Sequence, residues 1–398
     1  MTNLRKFKNI NQRRVALKEA LGISLENIGY YSSGLEIASK RNCENMIGAV
    51  QIPLGVAGPL CLRLWRTSRL VPFVCYLPLA TTEGALVASI NRGCKAINLS
   101  EGATILVNDV GITRGPVFKT RSLLDSLKLA NWIESHFNDL NHLSKETSSH
   151  LELKKIKTRI LGRRVFVRFY FDTQEAMGMN MATIAVDRIV PFIEKQTGSQ
   201  CLSLSGNFCV DKKPAWLNFL LGRGKEIWAE VVIKKMVVQK VLKTTSQKIY
   251  DVWLNKCLLG SAMSGSLGFN AHFANVVAAI FCATGQDLAQ VSEGTLGVTT
   301  TEVEQNGDLY FSVYLPDLPL GVVGGGTTLP TQKEAISIIF GRKKPSVRVL
   351  AEVVGGAVLA GELSLLASLA QGSLAKTHMK LARGGKSSFV GKSGRHHV

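Results

Sequence analysis

The pattern of apolar and polar positions changes character along the chain. Residues 1–45 are basic and helical in pattern, and residues 46–115 consist of short apolar runs separated by Gly and Pro. From residue 116 onward a polar helical pattern leads to RRVFVRFYFD, whose alternation predicts a half-buried strand, and then to EAMGMNMATIAVDRIVPFIEKQ, which predicts a helix. The apolar, glycine-rich texture returns after residue 204 and continues to about residue 376.

These changes predict a large domain that is interrupted by a smaller, inserted one. The inserted segment has the size of a small layered structure of sheet and helices, so we expect an α+β fold. The predicted parts are an N-terminal helical arm (1–45), the first part of the large domain (46–115), the inserted domain (116–204), the second part of the large domain (205–376) and a flexible tail (377–398).

Two long apolar segments raise the question of a membrane. Residues 257–286 contain no Asp, Glu, Lys or Arg and are long enough to span a bilayer. They carry Asn270, His272 and Asn275, which lipid would leave unsatisfied. We therefore predict a helix buried at the centre of the large domain, and predict the same for residues 353–375, which include Glu362. No membrane partner is expected.

Composition and charge restrict the classes of partner. Of 398 residues, 46% are hydrophobic and 19% charged, which is typical of a folded globular protein. The net charge of +19 fits nucleic acid, a multiply phosphorylated small ligand, or solubility alone. The bases are spread along the chain and only 7% of residues are aromatic, which disfavours a platform for stacking single strands. We predict no nucleic-acid partner.

Cysteine usage and the N-terminus predict a cytoplasmic protein. None of the eight cysteines forms a CxxC pair or has metal-ligand spacing with histidine, so we predict no metal site. Most of them lie in apolar stretches, which is typical of reduced, buried thiols. The basic N-terminus lacks the apolar core of a secretory signal.

The stretch LATTEGALVASINRGCKAI places one carboxylate, Glu83, among small and apolar residues. A carboxyl group in such a setting is suited to donate a proton. If a helix follows, Arg92 and Lys95 lie on one face of it, roughly 13–18 Å from Glu83 along the axis. The alternative is a helix-terminal charge with two solvated bases.

Four other segments carry candidate chemistry. LSGNFCVDKKP places Lys212 and Lys213 beside an aspartate in a turn, and Asp287 follows an apolar helix that ends at Gly285, where Lys212 would be its ion-pair partner. His378 precedes the tail and is suited to donate a proton late in a cycle. GVVGGGTTLP would let a backbone approach pyrophosphate, although the GxGxxG fingerprint of a Rossmann domain is absent. A surface turn, helix hydrogen bonding and an ordinary histidine are the structural alternatives.

Taken in order, several motifs make the chain resemble the 3-hydroxy-3-methylglutaryl-coenzyme A (HMG-CoA) reductases, most closely the biosynthetic class I. The resemblance covers roughly residues 40–380. Its motifs are ENMIGAVQIPLGVAGPL, PLATTEGALVASINRGCKAI, GITRGPV, AMGMNM, SGNFCVDKKP, GRGK, GFNAHFANVVAAIFCATGQD, GGGT and LAGELSLLASLA. It implies a large domain around a buried central helix and an inserted, ferredoxin-like, non-Rossmann nucleotide domain.

The resemblance also implies a reaction, the two-hydride reduction of HMG-CoA to mevalonate with release of coenzyme A. Glu83 would protonate the aldehyde-level oxygen, Lys212 would stabilise the oxyanion, Asp287 would tune both, and His378 would protonate the departing thiolate. The HMG group would contact Arg114, Ser205, Lys213, Lys256 and Asn275. The phosphates of coenzyme A would contact Ser89, Asn91, Arg92, Lys95 and Lys243.

For the nicotinamide cofactor the resemblance implies Ser148, Ser149, Glu175, Met177, Gly178, Met179, Asn180, Gly324, Gly325 and Gly326. The expected cofactor is NADPH, with NADH as the alternative, because the arginine of a Ser-Arg pair that would bind the 2′-phosphate is replaced by Ser149. Lys145, His150, Lys154 or Lys155 would then substitute for it. Active sites of the family form between subunits, which implies a homodimer or a dimer of dimers, with ENMIG at the contact. The alternatives are NAD-dependent mevalonate oxidation and a nucleic-acid binder on an enzyme scaffold.

Overall fold

The computed structural model describes residues 3–372. Its α-helices are α1 (Ile10–Leu21), α2 (Ala38–Arg41), α3 (Leu86–Asn98), α4 (Leu123–Ser135), α5 (Phe137–Lys145), α6 (Met179–Thr197), α7 (Trp216–Leu221), α8 (Lys235–Val237), α9 (Ser246–Trp253), α10 (Ser261–Ser264), α11 (Phe273–Thr284), α12 (Val291–Gly294), α13 (Pro330–Phe340) and α14 (Val347–Gln371). Short 3-10 turns span Leu4–Lys6, Asn27–Gly29, Leu35–Ile37, Leu288–Gln290 and Gly325–Thr328, and π-helical turns span Val238–Leu242 and Leu254–Gly260.

The strands form one continuous, mostly antiparallel path. They are β1 (Leu54–Arg66), β2 (Arg69–Ala80), β3 (Ala103–Arg114), β4 (Val117–Lys119), β5 (Glu152–Leu161), β6 (Arg164–Asp172), β7 (Gln200–Ser203), β8 (Arg223–Ile233), β9 (Val298–Val303) and β10 (Leu309–Leu318). Strand β3 lies in the middle of this path: residues 104–111 pair with β8 on one side, and residues 112–114 pair with β6 on the other. One strand thus connects the two halves of the molecule.

Two large hydrophobic cores lie on the two sides of this junction. The first packs β1, β2, β3, β8 and β10 against α3, α11 and α14. The buried members of the second all lie between Ile112 and Ile193, where α4, α5 and α6 cover β5 and β6. The α+β class is confirmed. The domain boundaries at residues 116 and 204, and the ferredoxin-like character of the inserted part, stay predictions.

The central helix α14 explains the long apolar segment near the C-terminus. Small residues let neighbours approach it closely, since a Cβ on Gly93 of α3 would lie 2.0 Å from the carbonyl oxygen of Ala360. Length and composition would allow α14 to cross a membrane, but 83% of its most apolar window is buried inside the fold. A core helix of this kind satisfies the same test.

The second apolar segment differs from the expectation. Residues 257–286 do not form a single buried helix: a π-helical turn and α10 end at Gly265, which has φ 67°, and a loop precedes α11. Asn270 lies in that loop and not in the helix. Its side-chain amide donates to the carbonyls of Thr295 and Gly297 and so holds the loop in place. Helix α11 ends at Gly285, as predicted, with φ 70°.

Candidate active site

Lys212 and Asp287 form the ion pair at the centre of the candidate site. Lys212 Nζ lies 3.3 Å from Asp287 Oδ2, and both side chains are partly exposed. The turn before the short helix Leu288–Gln290 positions Asp287, whose other oxygen accepts from the amide of Ala289 at 3.1 Å. The structure therefore joins two residues that lie 75 positions apart in the chain.

The predicted HMG contacts are spread over several segments of the chain. Ser205 Oγ is 3.6 Å from Cys209 Sγ, and Lys213 Nζ donates to the carbonyl of Asp211 at 3.0 Å. Arg114, at the end of β3, has a buried Nε without a hydrogen-bond partner in the described chain. A cation with a spare donor at this position is suited to meet a carboxylate ligand.

An open cavity of about 620 Å³ lies beside the Lys212 segment. Its lining includes Pro214, Lys256, Asn270, His272 and Thr295. Lys256 is exposed on the π-helical turn Leu254–Gly260, and Asn275 is half-buried in the first turn of α11. Lys256, a predicted HMG contact, thus lines the same cavity as Pro214, the residue that follows Lys213.

The cavity also shows a pair that sequence reasoning assigned no role. His272 Nδ1 lies 2.7 Å from Glu362 Oε1, and the amides of Ala271 and His272 donate to the same carboxylate. Burial disfavours the charged form of Glu362, but the contacts with His272 and Thr299 outweigh it, so the pKa of this carboxyl is lowered. A lone glutamate inside an apolar helix was the available signal.

The predicted coenzyme A residues fall into two groups. Arg92 is committed internally, since its guanidinium donates to the carbonyl and hydroxyl of Ser364 and to the hydroxyl of Ser368. Ser89 likewise donates to Ser364, at 2.9 Å, and Asn91 accepts from the amide of Gly58 at 3.0 Å. The contacts with Ser364 and Ser368 attach α3 to α14, and burial of the Arg92 guanidinium lowers its pKa.

The remaining two bases of this set are free to meet a ligand. Lys95 on α3 and Lys243, which has φ 58° after a π-helical turn, are both exposed. Neither side chain has a partner among residues 3–372. Of the five predicted phosphate contacts, these two would bind a phosphate without breaking a hydrogen bond or ion pair inside the described chain.

The two predicted cofactor segments are adjacent. Ala176 pairs with Val323 in a parallel bridge, and the amides of Val322 and Val323 donate to the carbonyl of Glu175. Gly178 precedes α6 with φ 85° and no side chain caps this helix end. A Cβ on Gly324 or Gly325 would meet nothing within 4 Å. Uncapped amides of Met179 and Asn180 beside an open glycine loop fit a pyrophosphate.

This cofactor segment is also attached to the Lys212–Asp287 pair. The side chain of Gln286 exchanges hydrogen bonds with the amide and carbonyl of Gly321, each at 2.9 Å. Gly285 and Gly326 pack so closely that a Cβ on either would lie within 2.5 Å of the other's carbonyl oxygen. The glycine loop therefore lies directly against the turn that carries Asp287.

The candidate residues for the 2′-phosphate lie at one edge of the second core. Ser148 and Ser149 precede His150, whose Nδ1 lies 2.8 Å from Gln174 Oε1, next to Glu175. The three lysines considered as substitutes are engaged elsewhere: Lys145 with Glu152, Lys154 with the carbonyl of Asp109, and Lys155 over the ring of Tyr170. Glu175 itself accepts from the amide of Val347 and so caps α14.

Glu83 forms no hydrogen bond or ion pair with Lys212 or Asp287 within the described chain. Its side chain is exposed, which corrects the expectation of an apolar setting, because the apolar residues of its stretch turn inward on α3 while the turn before the helix faces outward. It makes no side-chain hydrogen bond or ion pair with any residue in the range 3–372. His378, the fourth predicted catalytic residue, lies outside the described residues. The catalytic roles of all four stay predictions.

Comparisons with known proteins identify the family of this chain. Residues 9–383 match the sequence profile of the family described as hydroxymethylglutaryl-coenzyme A reductase. The 3-hydroxy-3-methylglutaryl-coenzyme A reductase of Methanothermobacter thermautotrophicus is 49% identical over 373 residues, which cover 94% of this chain and 93% of that one. The enzyme of the same name from Aeropyrum pernix is 50% identical, covering 94% of this chain and 89% of that one.

A solved structure shares the fold. The class II 3-hydroxy-3-methylglutaryl-CoA reductase of Streptococcus pneumoniae, in a structure with bound NADPH, superposes with a TM-score of 0.67 at 20% identity. It covers 92% of this chain and 98% of its own. The profile match and the identity to the two archaeal relatives show that this chain belongs to the hydroxymethylglutaryl-coenzyme A reductase family.

Proposed function

We propose that this protein reduces HMG-CoA to mevalonate and coenzyme A with two molecules of NADPH, in isoprenoid biosynthesis. The observation that carries the proposal is the Lys212–Asp287 ion pair, which lies against the joined cofactor segments and beside an open cavity. An ammonium at that position is suited to stabilise an oxyanion that forms on the thioester carbonyl. The names of the relatives support the same reaction.

NADPH would be held by residues 175–180 and by the glycine loop 324–326, and when bound it supplies the hydrides. The first hydride adds to the thioester carbon, and Lys212 stabilises the resulting oxygen anion. The carbon–sulfur bond then breaks, and His378 protonates the coenzyme A thiolate. The second hydride adds to the aldehyde carbon, and Glu83 protonates the alkoxide, which leaves mevalonate.

The assembly follows from the position of Glu83. Because Glu83 is exposed and unpaired within the described chain, we propose that it completes the site of a second copy in a homodimer or a dimer of dimers. Exposed apolar residues near ENMIG, such as Val50 at 85% exposure, support a contact there. A cytoplasmic location belongs to the same proposal.

The test is a spectrophotometric assay of HMG-CoA with each reduced nicotinamide in turn, and of mevalonate with each oxidised one. We expect NADPH oxidation that depends on HMG-CoA. A preference for NADH above about tenfold, or ~1.4 kcal/mol, would contradict the NADPH assignment and favour mevalonate oxidation. Absence of turnover with either cofactor would overturn the proposed function.

A second assay distinguishes the proposed role of His378, protonation of the thiolate, from the other steps of the reaction. Free mevaldehyde has no thiolate to protonate, so His378→Gln should slow the complete reaction and spare the reduction of mevaldehyde. An equal loss on both substrates would remove His378 from the thiolate step.

A further inference from the structure

The segment that presents Lys212 has an unfavourable backbone conformation. Asn207, Val210 and Lys212 have φ values of 61°, 50° and 61°. A Cβ disfavours this left-handed region, most of all for a β-branched residue such as valine. Three such residues within six positions persist only where the surroundings hold them. The conformation of the segment is therefore imposed by its neighbours.

Buried side chains from three elements hold the backbone that precedes Lys212. The carbonyls of this backbone point inward and accept hydrogen bonds from β3, β6 and α7. The contacts are Arg168 Nη1 to Phe208 O (3.1 Å) and Cys209 O (3.3 Å), Thr113 Oγ1 to Cys209 O (2.7 Å), and Asn218 Nδ2 to Val210 O (3.2 Å).

Lys212 itself is held by a ladder of three residues, Asp287, Gln290 and Glu293, which are spaced three apart on one face of consecutive turns. Asp287 pairs with the Lys212 ammonium at 3.3 Å. Gln290 Nε2 donates to Asp211 Oδ1 at 2.9 Å, and Glu293 Oε1 accepts from the amide of Lys212. One short segment thus binds the side chain of Lys212, its amide and the residue before it.

The carboxylate of Glu293 is fixed in orientation by a buried arginine. Both Glu293 and Arg223 have no exposed surface. Arg223 Nη1 donates to Glu293 Oε2, which leaves Oε1 for the amide of Lys212, and Arg223 Nη2 donates to Asp211 Oδ1 at 3.1 Å. A buried, charge-assisted pair of this kind is rigid, so the acceptor offered to Lys212 is rigid as well.

We propose that Glu293 is a positioning residue for Lys212: its buried carboxylate holds the Lys212 amide and so keeps the left-handed turn that directs the ammonium to Asp287. The inference rests on the proposed reduction. Glu293 does not reach the exposed face where the ion pair lies, because its side chain is buried. It acts through the backbone of Lys212 and not on the substrate.

Two substitutions separate the amide contact from the charge contact. Glu293→Asp keeps the charge for Arg223 but is one methylene too short to reach both partners. Glu293→Gln keeps the side-chain length and one acceptor oxygen, for which the Lys212 amide and Arg223 then compete, and it loses the charge. We expect Glu293→Asp to lower kcat about tenfold to a hundredfold while KM for HMG-CoA stays within about threefold, because misplacement of a catalytic group affects the transition state. Glu293→Gln should lose less of kcat than Glu293→Asp, because its oxygen still reaches the Lys212 amide for part of the time.

Glu352 provides the matched control. It is a wholly buried glutamate on α14, paired with Arg66 and far along the chain from the Lys212 segment. Glu352→Asp and Glu352→Gln should affect thermal unfolding as the Glu293 variants do and leave the kcat of the folded enzyme unchanged. Equal loss of kcat in the two series, or a larger loss in Glu293→Gln than in Glu293→Asp, would overturn the positioning role.

A readout that does not need turnover is limited trypsin digestion of the native protein. Loosening of the turn should speed cleavage after Lys212 in Glu293→Asp and not in Glu352→Asp, and unchanged cleavage would overturn the inference. Because the readout is independent of substrate, a wild type without activity would refute the proposed function alone.

If Glu293→Asp does not fold, Gln290→Ala removes the middle contact and should lower kcat by about fivefold with the same KM. An unchanged kcat there would overturn the inference.

Discussion

The Lys212 half and the Glu83 half of the candidate site are built in opposite ways. Around Lys212, an exposed side chain stands on a backbone that buried arginines and acids hold from several elements. Around Glu83, the side chain stands on an exposed turn before α3, where Ala85 has φ 76° and no side chain caps the helix. Within residues 3–372 this turn makes one hydrogen bond to a side chain, from the amide of Glu83 to Thr81 Oγ1 at 3.0 Å.

This difference shows which half is complete within one chain. The Lys212 half has its counter-ion, its support and its neighbouring cofactor segment in place. The Glu83 half has a well-packed helix behind it, attached by Arg92 to α14, but the side chain of Glu83 itself is exposed. If both groups serve one reaction, as proposed, Glu83 would act in the site of a second copy of the chain, and the first prediction tests this.

The largest expected effect is loss of turnover in Lys212→Ala and in Glu83→Gln. If the two groups of one site come from different chains, mixing the two inactive proteins should restore activity, because half of the randomly formed dimers then hold one intact site. The expected level is about a quarter of wild type. Activity of the mixture that stays at zero, although subunit exchange is shown, would place both groups in the same chain.

The next effect compares two bases on one face of α3. Arg92→Ala removes three hydrogen bonds to Ser364 and Ser368 and should destabilise the fold by about 2 kcal/mol. Lys95→Ala touches nothing inside the described chain and should change the free energy of unfolding by less than about 0.5 kcal/mol. It should instead raise KM for HMG-CoA, less so at high salt. Chemical denaturation measures the free energy of unfolding, and steady-state kinetics measures KM for HMG-CoA. A raised KM with unchanged stability in Arg92→Ala would instead assign Arg92 to the phosphate site.

A pH effect tests the buried support of the Lys212 half. Burial and the neighbouring charge of Glu293 raise the pKa of Asp317 well above its ordinary value of 3.8. At pH values between the two pKa values the native state holds a proton that the unfolded chain has released. The contribution of Asp317 to the free energy of unfolding is therefore fully present below its ordinary pKa of 3.8, and it is lost as pH rises towards the native pKa. The loss is about 1.4 kcal/mol for each pH unit across that range.

Asp317→Asn removes this titration. The variant should gain stability relative to wild type as pH rises from about 4 towards neutrality, measured as the free energy of unfolding in urea at several pH values. A constant difference between the two proteins across the range would show that Asp317 does not carry the proton.

The smallest effect concerns thiols behind the two halves. Cys94 on α3 and Cys209 before Lys212 are 1% and 0% exposed, whereas Cys43 is exposed. Burial raises the pKa of Cys94 to about 12. In the native protein both should react with iodoacetamide at least about tenfold more slowly than Cys43. Labelling of Cys209 before Cys94, identified by mass spectrometry, would contradict the greater rigidity of the Lys212 half.

Much of the fold was predictable from local patterns. The period-two alternation of RRVFVRFYFD predicted a strand and the apolar run near the C-terminus predicted a buried helix, and the structure has β6 and α14 there. The expected half-buried character of β6 was wrong, because Arg168 on its polar face is buried and donates to the carbonyls of Phe208 and Cys209. The segment 257–286 was mispredicted because composition alone does not show where glycines break a helix. Gly265 with φ 67° ends α10, and Asn270 donates to backbone carbonyls from the half-buried loop that follows.

The sequence by itself determined the family, the elements and which segments carry polar groups in apolar surroundings, because motif order and hydrophobic period are local properties. Only the tertiary structure decided that Arg92 serves α14, that Glu293 holds the Lys212 amide and that Glu83 faces outward. Hydrogen bonds and burial depend on distances between residues far apart in the chain. A charged residue reads the same in the sequence whether it meets a ligand, a neighbour or solvent.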